Sequence, residues 1–171
     1  TKAIPKLPML VQTLEYRPRV LDVSASAWGD ESEQIFRECR FKAFITIIRG
    51  CDNFCAYCVV PYTRGREASR PSAEILREAR RLADDGAVEI TLLGQNVSSY
   101  RDGEHGRSSF PRLLRLLNDI DGIKRIRFIT AHPKDLTEEL VETMAELPNV
   151  CEHFHLPVQS GSTRILALMN R

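Results

Sequence analysis

With 171 residues, 43% of them hydrophobic and 27% charged, the chain is long enough for one domain with a real core. No apolar run approaches the roughly 20 residues of a membrane span, and the N-terminal TKAIPKLPML lacks the apolar core and cleavage site of a signal peptide. A net charge of +1 is low for a dedicated nucleic-acid binder, so any contact with RNA has to come from a local patch or another domain.

Residues 1–38 read as a connecting region. Prolines stand at 5, 8 and 18, and AWGDESEQ at 27–34 is acidic and polar, as a linker or domain edge would be. Trp28 within it has no readable role. The chain does not start with methionine, and the expectation is a piece of something longer. Residues 39–171 form the second expected domain.

KAFITIIR at 42–49 is β-branched and apolar, the composition of a buried strand. A cysteine-rich loop follows it. PSAEILREARRLADDG at 71–86 reads as a helix, since Ile75, Leu76, Ala79, Leu82 and Ala83 fall on one face; Ser72 can cap its start and Gly86 its end. VEITLL at 88–93 is a second strand, closed by Gly94-Gln95-Asn96. FPRLLRLLNDIDG at 110–122 predicts a helix with Pro111 near its start and Gly122 past its end. RIRFIT at 125–130 is a third strand, and 136–147 a helix with Thr137 as its cap. CEHFHL at 151–156 reads as a fourth strand before a last helix.

Strand and helix alternating at this spacing predict an α/β fold with a parallel sheet. The chain is then either a complete doubly wound sheet or about half of a (β/α) barrel. Both place ligand chemistry at the C-terminal ends of the strands. The polar residues do gather there: the cysteine loop, Gly94-Gln95-Asn96, His132, and Gln159-Ser160.

Five cysteines is an odd number, and three crowd into one loop as C-x3-C-x2-C at Cys51, Cys55 and Cys58. Such spacing suits a metal-bound loop in a reducing compartment better than a disulfide framework. Cys39 precedes the first strand and Cys151 opens the fourth, so both fall at the wrong end of the sheet to be a fourth ligand. Three thiolates on a 4Fe–4S cube leave one iron open for a substrate or cofactor, whereas a structural zinc wants four protein ligands.

With Tyr57 just before its last cysteine, this motif resembles the signature of the radical S-adenosylmethionine (SAM) enzymes. GCDNFCAYCVVPYTRGREASR, LLGQNVSSY, ITAHPKDLT and HLPVQSGSTRILALMNR together resemble the methylthiotransferases of that family, and GQNVSSY resembles their MiaB type. The resemblance implies a partial barrel, a 4Fe–4S cluster on the three cysteines, and SAM on the open iron. It implies 2-methylthiolation of N6-isopentenyladenosine at position 37 of tRNA, with the anticodon stem-loop as partner and an electron donor of flavodoxin or ferredoxin type. A second 4Fe–4S cluster is expected on an N-terminal domain, and this chain offers no cysteines for it before Cys51 except Cys39. A cytoplasmic monomer is the accompanying expectation. Relatives acting on threonylcarbamoyladenosine in tRNA or on a ribosomal protein stay as alternatives, as does a zinc-stabilised RNA-binding module without catalysis.

Gly94, Gln95 and Asn96 occupy the place where these enzymes contact the methionine part of SAM, and Gln159 and Ser160 match the family's P-x-Q-S-G block. Arg64, Arg66 and Arg70 form a basic cluster beside the cysteines, suited to phosphate contact. His132, held extended by Pro133, is readable as a pocket residue or as a structural one. His153 and His155 would share one face of the fourth strand.

Overall fold

The computed structural model describes residues 6–17, 19, 39–103 and 109–171. The chain divides into two units, 1–36 and 37–171. In the first, helix α1 (Leu7–Leu14) starts with proline in its first turn. Its Leu7, Met9, Val11 and Leu14 are all exposed. The sequence reading expects no helix there, and Trp28 and the AWGDESEQ stretch lie outside the described residues.

The second unit is built on a parallel sheet of β1 (Lys42–Thr46), β4 (Glu89–Leu93) and β5 (Arg125–Phe128) in the order β1-β4-β5. The registers Ala43↔Ile90↔Ile126 and Ile45↔Leu92↔Phe128 place these six side chains on one face, and all are buried. Helices α3 (Ser72–Asp84), α4 (Phe110–Asn118) and α5 (Glu138–Glu146) supply Ile75, Leu76, Ala79, Leu82, Leu113, Leu114, Leu117 and Leu140 to the same core. Period 2 in the strands and period 3.6 in the helices therefore meet in one apolar layer. Gly86 and Gly122 end two of the helical segments at φ 87° and 88°, and the Thr137 hydroxyl accepts from Leu140 N–H at 3.2 Å, as the sequence predicts. Ser72 is instead the first residue of its helix, with Pro71 at the cap position.

The opposite face of the sheet carries Lys42, Phe44, Glu89, Thr91, Arg125 and Arg127. There Glu89, 6% exposed, sits among Lys42 (3.5 Å), Arg125 (3.6 Å) and Arg127 (3.6 Å). Phe44 on this face is 61% exposed.

Two departures from the sequence reading shape the site. The strand expected over 42–49 breaks at Ile47, whose N–H still bonds Leu93 O (2.9 Å) while its carbonyl accepts from Arg70 N–H (2.9 Å). The chain then leaves the sheet, and β2 (Ile48–Arg49) pairs antiparallel with β3 (Ala68–Ser69), so a two-residue ladder clasps the cysteine loop. Helix α2 (Val60–Arg64) lies inside that loop. Second, CEHFHL is not a strand. Its first residue bonds β5 through Cys151 N–H to Ile126 O at 3.0 Å, beside an isolated bridge Ile126↔Val150, and Ala131 N–H, beyond β5, donates to His155 O at 3.3 Å. A tight turn, His153 N–H to Cys151 O at 2.7 Å, bends the segment out of register, and Phe154 packs edge-on against Phe128 at 5.4 Å. His153 and His155 are both exposed. Helix α6 (Thr163–Leu168) follows.

Candidate functional site

The C-terminal ends of the three strands and the segment after residue 156 meet around a cavity of about 360 Å³. Cys51, Cys55, Tyr57, Cys58 and Arg64 line it from the loop after β2. Gly94 and Gln95 come from the end of β4, Thr130, Ala131 and His132 from beyond β5, and Pro157, Gln159 and Arg171 from the last segment. Asn96, Ser160, Arg66 and Arg70 are not part of its wall.

The loop begins at Gly50, where φ is 73° and a Cβ would stand 2.1 Å from Arg66 O, so only glycine fits. Gly50 N–H donates to Gln95 Oε1 at 2.7 Å, which ties the start of the loop to the end of β4. Gly94 packs as closely: a Cβ there would lie 2.2 Å from the Ile48 side chain. At the far end of the loop, Arg70 turns inward. Its side chain is 11% exposed and donates to Glu78 (2.7 Å) and Thr46 O (3.0 Å). The buried Tyr100 hydroxyl, its pKa pushed up by burial, donates to Arg70 O at 2.8 Å. Arg66 stays outside, paired with Asp52 at 2.8 Å and 5.4 Å from the centre of the Phe54 ring, and Phe54 meets Tyr62 edge-on at 6.0 Å.

All five cysteines are free. Cys51 and Cys55 are buried and Cys58 is half-buried. Burial, followed by the nearby Glu67, Cys55 and Cys58, raises the Cys51 pKa, so the loop alone favours thiol over thiolate there. A bound cationic group reverses that preference. Among the described residues no three His, Cys, Asp or Glu side chains converge on one point as the ligands of a single ion. Cys51, Cys55 and Cys58 all line one wall of the cavity.

Two residues that the sequence gives no signal for close the site. Asn170, at φ 53°, donates from Nδ2 to Phe54 O (3.0 Å) and Asn53 O (3.4 Å), while Ala56 N–H donates to Met169 O (2.9 Å). Arg171 donates to Tyr57 Oη (3.1 Å), Cys55 Sγ (3.8 Å) and Pro157 O, and its Nε is buried without a partner. Both stand beyond the last helical turn, where no periodicity points at the cysteines.

Asn96 is 1% exposed and works behind the wall. Its Oδ1 accepts from His132 N–H at 3.1 Å and its Nδ2 donates to Asp135 Oδ2 at 2.6 Å. His132 Nδ1 accepts from Lys134 N–H (3.2 Å), and its Nε2 is buried with no partner. Burial and then the Arg171 charge hold its pKa below the usual histidine value. Ser160 Oγ accepts from Ser162 N–H at 3.1 Å.

Comparison with known proteins gives one family and a consistent set of relatives. Residues 45–171 match the model of the radical SAM superfamily. A tRNA-2-methylthio-N(6)-dimethylallyladenosine synthase of Alkaliphilus oremlandii is 61% identical over 135 residues, which are 79% of this chain and 29% of that protein. Proteins of the same name from Phocaeicola vulgatus and Syntrophotalea carbinolica are 52% and 47% identical over 96% and 100% of this chain. The chain spans 37% and 40% of their respective lengths, well under half of each relative.

Proposed function

The chain belongs to the radical SAM superfamily, and from that premise we propose that it is the central part of a tRNA methylthiotransferase of the MiaB type. Its reaction would add a 2-methylthio group to N6-isopentenyladenosine at position 37 of tRNA. The observation that carries the reading is the joining of Cys51, Cys55 and Cys58 with Gly94, Gln95 and Gln159 around one cavity. Relatives carrying that name, 47% to 61% identical, point the same way. Against a zinc module stands the match of residues 45–171 to the radical SAM model.

In this reading Cys51, Cys55 and Cys58 would hold a 4Fe–4S cluster with one iron open to SAM, and the bound group would supply a hydrogen-abstracting radical from one SAM, a second SAM supplying the methyl group. The chain's own residues set the stage for that chemistry. Gln95 fixes the loop through Gly50, and Gly94 lets the β4 end approach Ile48 closely. Gln159 and Tyr57 contribute polar groups to the wall, and the buried Cys51 and Cys55 are kept from bulk water. Arg64 at the cavity and Arg66 beside Phe54 are the candidates for anticodon-loop phosphates. Arg70 braces the loop from inside through Glu78, Asn96 acts from behind the wall through His132, and Ser160 bonds Ser162 N–H before α6.

The face of the sheet opposite the three helices carries Lys42, Glu89, Arg125 and Arg127, and among the described residues no helix packs on it, which supports a barrel wall over a doubly wound sheet. Residues 39–171 are then the first part of a radical SAM core, and residues 1–38 the join to a domain bearing a second cluster. A flavodoxin- or ferredoxin-type donor, a monomeric state and a cytoplasmic setting complete the proposal. The test is mass spectrometry of hypomodified tRNA incubated with the full-length, anaerobically reconstituted protein, SAM and a reductant. A 2-methylthio-N6-isopentenyladenosine product is expected. Modification of a threonylcarbamoyladenosine tRNA instead, or of neither, would overturn it.

A further inference from the structure

We propose that His132 is a ligand-binding residue: its Nε2–H donates a hydrogen bond to an uncharged acceptor, a ribose hydroxyl or a purine ring nitrogen, of the nucleoside bound in the cavity. The inference rests on the reading of that cavity as the SAM site.

His132 lines the cavity and is 7% exposed, yet its Nε2 has no partner in the protein. A buried polar atom left unpaired is costly, and such atoms are rare in folded proteins. Its tautomer is set by the backbone. Lys134 N–H donates to Nδ1, so that nitrogen must offer its lone pair, and the proton resides on Nε2. The backbone that carries the ring is also held in place. The His132 backbone N–H donates to Asn96 Oδ1, Asn96 Nδ2 donates to Asp135 Oδ2, and Asp135 N–H returns to His132 O at 2.9 Å. Pro133 follows directly and restricts the His132 backbone. This closed circuit gives the buried Asn96 a role as a positioning residue that acts through His132.

The chemistry of the ligand atom follows from charge. Burial and the Arg171 guanidinium disfavour an imidazolium, so His132 presents a neutral donor. Arg171, with its own unpaired Nε at the same cavity, is the group suited to an anionic end. A neutral donor pairs with a neutral acceptor, and a nucleoside offers these on its ribose and purine ring. The cavity volume is in the range of small-molecule sites.

The test is equilibrium dialysis under anaerobic conditions on full-length, cluster-loaded protein. SAM is compared with analogues that each lack one acceptor: 2′-deoxy, 3′-deoxy, 1-deaza, 3-deaza and 7-deaza. His132→Leu is expected to weaken SAM binding about 3- to 10-fold, the usual size of one neutral hydrogen bond. His132→Gln, which restores an N–H donor near the same place, recovers most of that loss. For one analogue, wild type is weakened by a similar factor and His132→Leu loses nothing further. Equal losses across all analogues, or none, would overturn the proposal. Should His132→Leu fail to fold, the analogue series on wild type and His132→Gln still decides, since no single sensitive acceptor means no such bond. Wild type that holds its cluster but binds no SAM refutes the SAM-site reading itself; wild type that binds SAM with an indifferent His132→Leu refutes only this inference.

Discussion

The helix-packed sheet and the cavity at its end are held by different forces. In the sheet, Ile45, Ile90, Leu92, Ile126 and Phe128 meet Ile75, Leu113, Leu114 and Leu117 in an apolar layer with regular backbone throughout. Around the cavity the apolar layer gives out. All four non-glycine residues at positive φ among the described ones, Phe54, Thr130, Gln159 and Asn170, belong to the cavity wall, the cysteine loop or the segment that bonds that loop. Polar ties between distant segments hold them: Gln95 to Gly50, Asn96 to His132, Asn170 to Phe54. Regular structure thus belongs to the scaffold, and backbone strain is concentrated around the cavity. Damage to one region should leave the other partly intact.

The sharpest separation comes from the thiols. Replacing Cys51, Cys55 or Cys58 by alanine is expected to abolish stable iron and sulfide binding after reconstitution, with circular dichroism and melting of the sheet near wild type. Iron retained by any single variant would break the assignment. Glu78→Ala attacks the scaffold side. It removes the nearer carboxylate of Arg70, leaving Glu74 at 3.9 Å and Thr46 O, at a cost of about 1.5–3 kcal/mol in denaturant unfolding. Arg70→Met in the same chain should recover much of it, and no recovery would mean that Glu78 acts in some other way.

Gly50→Ala is the intermediate case, where loop and scaffold join. The left-handed φ alone costs about 1–2 kcal/mol, and the close approach to Arg66 O adds to that. Iron content should fall more steeply than the unfolding midpoint; equal falls would show that loop and sheet are one cooperative unit. Asn170→Gly gives the smallest effect. It keeps the left-handed backbone but removes two side-chain hydrogen bonds, about 1 kcal/mol net. Hydrogen exchange should quicken at residues 53–58 and not in β4; an unchanged rate would remove Asn170 from the latch.

The scaffold was legible because its signal is local. Leu113, Leu114 and Leu117 announce a helix face, Thr137 and Gly122 mark ends, and the β-branched, apolar composition of KAFITIIR marks a strand. The cysteines were legible because their spacing is chemistry. What escaped was set by partners far along the chain. Arg64, Arg66 and Arg70 read as one basic cluster, yet Glu78 draws Arg70 inside while Arg66 remains 74% exposed. CEHFHL has the alternation of a strand, but the turn at His153 breaks it. The β2–β3 ladder is two residues long, too short to leave any pattern.

The Asn170 latch sets an order of events during synthesis. Its side chain holds carbonyls that lie 117 and 116 residues earlier in the chain. At about 5–20 residues per second, a ribosome takes about 6–23 s to travel that distance. Through that interval the three thiols are already made while the residue that fixes their loop is not. The loop therefore takes its latched form only after residue 170 has left the ribosome.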